Sequence, residues 1–261
     1  MAFRLKSPLH IGWRKVGNLQ QTRKYVTGKV FWAALTARLT RDLGKVKERN
    51  YAEMGEKINE SFRFGYFYPA LPDSCQNLTN LRECFPWNTR NFDYLFLDSY
   101  ASTAVSRIDR SDEGTLHETE FISPVSRNGD PVYLVGSVWT GDPLDEELRS
   151  WRDSLNCLRL GGERGYGWGQ IEVCIDPVVV EKRNEIKIII NEGNPVLAHV
   201  DASNIKDELT GTVEPLVGWE RDVGGSWRLT RNVNLAYVPG SIATCTLSFT
   251  ADHFGIWKRI E

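Results

Sequence analysis

The sequence predicts an α+β protein: a ferredoxin-like (RRM-like) βαββαβ domain over 1–175, with a glycine-rich loop at 160–170, followed by a smaller β-rich C-terminal lobe over 176–261. Three observations predict it. A strand-like start leads into a helix pattern with Phe31, Leu35, Leu39 and Leu43 at i, i+4 spacing. A second stripe, Leu144, Leu148, Trp151, Leu155 and Leu158, steps by four, three, four and three just before another strand pattern. Beyond Asp176-Pro177 the chain breaks into short strand-like runs separated by Gly, Pro and Asn turns, with no amphipathic helix. The order strand–helix–strands–helix–strand is the one RNA-recognition domains share.

Phe3–Ile11 reads as the first strand, with Phe3 and Leu5, then Leu9 and Ile11, on either side of Pro8, which suits an edge or a bulge. Gly12–Thr22 reads as a polar, basic loop. The first helix opens after Val26-Thr27-Gly28; Ala33, Ala34 and Ala37 give it a small face, and Gly44 stops it. Residues 45–130 are irregular and rich in aromatics. Phe62-Arg63-Phe64-Gly65-Tyr66 alternates as a strand with Gly65 at a bulge, ended by Pro69, Pro72 and Asp73. Such an aromatic series is more often core than a base-stacking platform. Val105–Phe121 suggests a long hairpin around Asp112-Glu113-Gly114, and Val132–Trp139 a strand buried on both faces. Asp142 is the expected N-cap of the second helix, with Pro143 at its first position and three acids in its first turn. Trp168–Ile175 is the next strand. In the second lobe, Val178–Val180, Glu185–Ile190, Trp227–Leu229, Asn234–Val238 and Ile242–Phe249 are the strand candidates.

Composition excludes several classes. The chain has 261 residues, 41% hydrophobic and 25% charged, with 22 Gly and 11 Pro, so it is neither disordered nor fibrous. Its apolar runs, such as Val30–Leu35, fall far short of the ~18 residues a membrane helix needs. The amino terminus carries no apolar stretch, so no secretion signal is expected. Five scattered cysteines without a C-x-x-C pair point to reduced thiols and a cytoplasmic location, not to a disulfide framework or a zinc ribbon. The net charge of −2 conceals an asymmetry: residues 1–50 hold twelve Lys or Arg against Asp42 and Glu48, which leaves the remainder at −12. A basic arm on a near-neutral body suits one face laid on a polyanion and another on protein neighbours. Lys45, Lys47 and Arg49 are read as solvated.

Leu160–Gln170 is the most informative segment. Gly161, Gly162, Gly165, Gly167 and Gly169 permit positive φ and close backbone approach to a ligand. A dinucleotide fingerprint would follow a strand and open a helix; this loop follows a helix and precedes a strand. There is no Walker Gly-Lys-Ser/Thr. A plain helix-to-strand turn needs only two glycines. Arg164, with Tyr166 and Trp168 interleaved, suits phosphate contact plus stacking.

These residues resemble the RAMP superfamily of CRISPR proteins. Beyond the glycine-rich loop, Ser7-Pro8-Leu9-His10-Ile11-Gly12 resembles the first-strand motif of type III members. Tyr25-Val26-Thr27-Gly28-Lys29-Val30-Phe31-Trp32-Ala33-Ala34-Leu35 resembles their "I-P-G-S-S-L-K-G-A-L" helix start, with Thr27 where proline is usual. Arg107-Ile108-Asp109-Arg110 and Glu113–Phe121 resemble their hairpin segment, and Val238-Pro239-Gly240-Ser241-Ile242 the "P-x-G-S-V" motif of the subunits that cap the 5′ end of the guide RNA. The resemblance implies a crRNA-binding subunit that holds the repeat-derived 5′ tag and docks to the large polymerase-like subunit and the first backbone subunit. Carried over onto this chain, the RNA-facing residues are His10, Gly12, Arg14, Lys15, Arg23, Lys24 and Lys29, Arg107 and Arg110 of the hairpin, and Gly161, Gly162, Arg164, Gly165, Tyr166, Gly167 and Gly169 of the loop.

Neither catalysis nor a cofactor is expected. Of the four histidines (His10, His117, His199 and His253), no pair has metal-ligand spacing, no H-E-x-x-H occurs, and no G-x-S-x-G elbow is present. Related processing ribonucleases use a His against the 2′-hydroxyl, which keeps an endoribonuclease reading through His10 as an alternative. A target-cleaving backbone subunit, using Asp109 or Asp112, is a second. A β-rich scaffold without RNA is a third. More than 90 residues follow the loop, whereas in the processing enzymes it lies near the C-terminus.

Overall fold

The computed structural model describes residues 1–44, 47–72, 81–104, 114–141, 143–175, 186–221, 227–229 and 235–260. Among these residues, nine strands precede the C-terminal part: β1 (Ala2–Leu5), β2 (Gly12–Val16), β3 (Leu19–Thr22), β4 (Phe62–Pro72), β5 (Leu81–Glu83), β6 (Leu97–Ser102), β7 (His117–Ile122), β8 (Tyr133–Thr140) and β9 (Ile171–Ile175). The longer helices are α1 (Gly28–Asp42) and α2 (Glu48–Ser61), with short α3 (Phe92–Phe96) and α4 (Trp151–Ser154). One sheet runs β5-β4-β8-β1-β9. With β5 set aside, the first strand lies between the third and the last, which is the ferredoxin-like order. β1 is antiparallel to both neighbours, Phe3 opposing Leu134 on β8 and Val173 on β9. A second sheet runs β2-β3-β7-β6.

Two compact units, each built from separate segments, make up the chain: Met1–Val26, Phe67–Gly136 and Leu155–Val178 in the first; Thr27–Tyr66, Ser137–Ser154 and Val179–Glu261 in the second. The junction expected near 175 adjoins 176–185, which lie outside the described residues.

The first unit is closed by aromatic packing. Phe3 meets Phe67 at 5.8 Å, and Tyr68 meets Phe85 and Trp87 edge-on at 4.9 and 5.5 Å. Most of the aromatic series is core: Phe62, Phe64, Tyr66, Phe67, Tyr68, Phe92 and Phe96 are buried, Phe85 and Trp87 partly so, and Tyr94 is exposed. Gly12–Thr22 is the main correction here: the expected loop is the β2–β3 hairpin, turned at Gly17 with φ of 60°. A run of polar side chains hid it, because β2 is exposed along its whole length. Pro69 does not end β4, which runs through it to Pro72; Asp73 lies outside the described residues. The hairpin expected over Val105–Phe121 has its second strand in β7; the first strand, β6, lies ahead of those bounds and pairs from Leu97–Ile122 to Ser102–His117, while 105–113 lie outside the described residues.

In the second unit, α1 buries Phe31, Leu35 and Leu39 as its spacing predicts, while Leu43 is exposed at its end and Gly44 turns left-handed at φ of 67°. α2 has no counterpart among the elements expected from the sequence. Among its described side chains Met54 and Ile58 are the buried hydrophobics, and the space a side chain at Gly55 would fill is taken by the Trp32 indole, which donates to the Gly55 carbonyl at 3.2 Å. Gly65 marks close backbone approach: a β-carbon there would stand 3.0 Å from the Ser137 carbonyl. The helix expected over Asp142–Leu158 is broken into a 3₁₀ turn (Glu146–Leu148), α4, and a second 3₁₀ turn (Leu155–Cys157). Asp145 caps the first turn by accepting from the Glu147 N–H, and Asp142 lies outside the described residues. Leu148, Trp151, Leu155 and Leu158 are nonetheless buried, so the stripe survives the interruption. Only the start of β8, Tyr133 and Leu134, is buried, so its strand is not enclosed on both faces.

The C-terminal part is β-rich: β10 (Ile188–Ile190), β11 (Val200–Asp201), β12 (Leu209–Thr210), β13 (Val213–Pro215), β14 (Trp219–Arg221), β15 (Trp227–Leu229), β16 (Leu235–Tyr237), β17 (Ile242–Ala243), β18 (Leu247–Ala251) and β19 (Trp257–Ile260). Six of these form a sheet in the order β10-β18-β19-β11-β16-β13, while β12–β17 and β14–β15 pair separately. Tyr66 and His199 bond at 2.6 Å and His199 and Glu214 at 2.8 Å, which satisfies a fully enclosed imidazole. No helix among the described residues is long and apolar enough to cross a membrane.

Two glycines interlock three backbone segments of this unit. A β-carbon on Gly28 would lie 2.3 Å from the Phe254 carbonyl and 2.6 Å from that of Phe64; one on Gly255 would lie 2.0 Å from Phe64. Gly28→Ala is therefore expected to lower unfolding free energy by about 1–3 kcal/mol, read from urea denaturation, because backbone must shift to admit the methyl. The neighbouring His253 adds a pH dependence. Burial pushes its imidazole below the ordinary histidine value, with Arg63 and Lys258 adding to the effect and Asp252 opposing it. The unfolded chain then binds the proton more readily, so stability is lost as pH falls through the ordinary value toward the lowered one. Between about pH 7 and pH 5 the melting temperature should drop, and by less in His253→Gln.

Candidate functional site

Three segments singled out in the sequence converge in the first unit. The glycine-rich loop is bonded at both of its ends to Ser7–His10: Gly162 N–H donates to the His10 carbonyl (2.9 Å), Gly169 N–H to the Pro8 carbonyl (2.7 Å), and Gln170 N–H to Ser7 Oγ (2.9 Å). That approach demands glycine. A β-carbon on Gly161 would lie 2.2 Å from the His10 carbonyl oxygen, and one on Gly169 would lie 1.9 Å from that of Leu160. Both also hold positive φ, 73° and 77°. The β7 strand supplies the third side. Leu9 and Ile122 exchange backbone hydrogen bonds of 3.0 and 2.8 Å, and Phe121 meets Trp168 edge-on at 5.0 Å.

His10 sits at the junction, 6% exposed. Its Nδ1 lies 2.7 Å from the Glu120 carbonyl. A carbonyl only accepts, so Nδ1 carries the proton and Nε2 of the neutral ring carries a lone pair. The Glu120 carboxylate accepts the Thr22 N–H at 2.9 Å, and the Thr22 hydroxyl accepts from the Ile11 N–H at 2.8 Å, fixing the chain on either side of the ring. Nothing in the sequence marks Glu120 or Thr22 for this work: the contact to His10 is made by a backbone atom.

The loop's outer part is open. Arg164–Tyr166 form a 3₁₀ turn between left-handed Glu163 and Gly167. Nothing lies within 4 Å of a β-carbon placed on Gly165 or Gly167, and Tyr166 is 83% exposed. Trp168, expected to stack with a ligand, is half-buried against Phe121.

The remaining sequence-predicted residues separate. Gly12, Arg14 and Lys15 lie on exposed β2, where the Arg14 guanidinium stacks 4.1 Å over the Trp13 ring and donates to Gln21. Trp13 is an addition that sequence reasoning missed; its adjacency to Arg14 was the available signal. Arg23 donates to the Tyr25 hydroxyl at 3.4 Å, and Lys24 pairs with Asp93 at 2.5 Å. Lys29 belongs to the second unit, its ammonium 5.4 Å from the Phe254 ring. Arg107 and Arg110 lie outside the described residues. Pro239-Gly240-Ser241, also in the second unit, forms a turn of type II character: Gly240 has φ of 95°, and the Ser241 N–H donates to the Val238 carbonyl at 3.1 Å.

No protein-family model matches the sequence, and no curated protein matches it. Among solved structures, a chain in the cryo-EM structure of the type III-B Cmr-beta bound to cognate target RNA and AMPPnP (state 1) shares the fold, with a TM-score of 0.53 and 12% identity over 93% of this chain and 84% of that one. A chain of a CRISPR RNA-guided surveillance complex aligns at a TM-score of 0.35 and 12% identity, over 93% of this chain and 90% of that one, too low to bear on the fold.

The geometry separates structural glycines from open ones. Gly161→Ala and Gly169→Ala should each lower unfolding free energy by about 1–3 kcal/mol, since both clash with backbone. Gly165→Ala, with ordinary φ and open space, should stay within about 0.5 kcal/mol. Urea denaturation of the three variants measures the contrast.

Proposed function

We propose that this chain is the crRNA-binding subunit of a type III CRISPR effector, holding the 5′ tag of the guide RNA and docking to the large polymerase-like subunit and the first backbone subunit. The observation that carries this reading is the convergence just described: the glycine-rich loop is bonded to Ser7–His10 and braced by β7, in a ferredoxin-like fold shared with a chain of the Cmr-beta structure.

The site suits a single strand. Open backbone at Gly165 and Gly167 admits a phosphate without side-chain obstruction, and Arg164 supplies charge beside it. Tyr166 and Trp13 present rings on which bases stack, with Arg14 adding a cation to the second. The same reading takes the site to bind rather than cleave, with His10 as a hydrogen-bonding ring and the His117 imidazole held by Ser102 and by the Thr115 carbonyl.

Expression of the full chain with a CRISPR array and the other effector subunits tests the reading. A crRNA with one defined 5′ end should copurify, uncleaved by the chain alone, together with the large and first backbone subunits. Recovery of the complex without this chain's protection of the 5′ tag against nuclease would overturn it. On isolated single-stranded RNA, Tyr166→Ala should weaken binding by about 1–3 kcal/mol with its melting temperature unaltered, as expected for an exposed stacking ring. Replacing Arg14, Lys15 and Arg164 with alanine should reduce the slope of log K against log salt by about 0.7 for each phosphate that is no longer neutralised. Fluorescence anisotropy over a salt series reads both.

A further inference from the structure

We infer that His10 reads the ribose 2′-hydroxyl of the bound strand through the lone pair on Nε2, making it the residue that distinguishes RNA from DNA; this rests on the RNA-binding reading above. The ring is nine-tenths buried and its Nδ1–H is committed to the Glu120 carbonyl, so the free Nε2 acts as an acceptor while the ring is neutral. Among the described residues Nε2 has no partner. Two glycines border its exposed edge. A β-carbon on Gly12 would stand 3.6 Å from Nε2, and one on Gly162 would stand 3.2 Å from Cδ2.

Neither glycine has positive φ, unlike Gly161, Gly167 and Gly169, so backbone conformation does not call for glycine at either place. What their missing side chains do is leave the Nε2 edge open. A phosphate cannot use that edge while the ring is neutral, because a phosphate oxygen only accepts. The group on the strand must donate. With Arg164 and the loop backbone placed for phosphates and Tyr166 for a base, the donor that lies beside a phosphate along the chain is the 2′-hydroxyl, the group RNA has and DNA lacks.

The test compares an oligouridylate of about 20 nucleotides with the oligodeoxyuridylate of the same length, which differ only at the 2′ position, on the purified full chain at about pH 8. The expected preference for the ribo strand is about 3- to 10-fold, the range for one hydrogen bond. His10→Asn keeps a donor for the Glu120 carbonyl but removes the distal acceptor, and should bring the ribo-to-deoxy affinity ratio close to one. Gly12→Ala, whose methyl makes an ordinary contact with the ring, should lower the same ratio by obstructing the approach, and covers the case in which His10→Asn does not fold. A ratio near one in the wild type, or a ratio that both variants leave unaltered, overturns the inference, while copurification of the crRNA separately decides the RNA-binding reading. Loss of ribo and deoxy binding in equal measure also overturns it, since Nε2 would then be meeting a base. Cleavage of the oligouridylate by the wild type, abolished in His10→Asn, overturns it in favour of a general base.

Discussion

The site depends on one constraint: the backbone of the glycine-rich loop lies so close to Pro8–His10 that no side chain fits between them. The His10 carbonyl, 2.2 Å from where a β-carbon of Gly161 would be, is spent on the Gly162 N–H. With its carbonyl turned to the loop, His10 directs its ring toward β7, where the Glu120 carbonyl is the acceptor. The neighbouring Leu9 is joined to Ile122 by the paired backbone bonds, so loop, first-strand segment and hairpin are linked through one continuous backbone hydrogen-bond network. Widening that contact by a methyl group would disturb the ring's orientation and the loop's projection together, although neither is touched directly.

The second unit uses the same device to a different end. Gly28 and Gly255 bring the start of α1, the β4 backbone at Phe64 and the turn before β19 within carbonyl-to-carbon contact, and Gly211 leaves room for the buried Ser241, whose hydroxyl donates to the Val238 carbonyl at 2.8 Å. The segments resembling family motifs around Gly28 and Pro239-Gly240-Ser241 therefore have an immediate packing role. Each would be constrained by close backbone approach even without a ligand, which makes them informative about fold and weaker as pointers to an RNA contact than the open residues of the loop.

The fold was legible in the sequence where one face of an element is continuously apolar. Phe31, Leu35 and Leu39 marked α1, and Leu148, Trp151, Leu155 and Leu158 marked a buried stripe even though the backbone beneath it changes between 3₁₀ and α geometry. A burial pattern reports which side chains face inward, and it is blind to a break that preserves their direction. α2 and the β2–β3 hairpin were not legible for the opposite reason. In α2 a tryptophan from α1 fills the groove that an apolar residue would otherwise fill, and β2 buries nothing at all. At the site, chemistry carried by side-chain type was visible (His10, Arg164, Tyr166), and chemistry carried by backbone atoms was not. Glu120 would attract notice for its carboxylate, yet it holds the histidine by its carbonyl.

The charge asymmetry of the first fifty residues takes on a different meaning once their partners are seen. Lys6 pairs with Glu172 at 3.1 Å, Lys24 with Asp93 at 2.5 Å and Arg38 with Asp42 at 2.5 Å, so part of the local positive charge is met by acids drawn from distant or neighbouring sequence. Among the described residues, Lys15 and Arg164 have no ion pair, and Arg14 leans on a ring rather than a carboxylate. Exposed pairs of this kind hold by at most about 1 kcal/mol, because water screens both partners. A phosphate arriving beside Lys24 competes with a weak bond, whereas one arriving at Lys15 or Arg164 displaces only water. The sequence counted cations; the fold ranks them, and Arg14, Lys15 and Arg164 lie on β2 and on the glycine-rich loop, the same two segments that expose the Trp13 and Tyr166 rings.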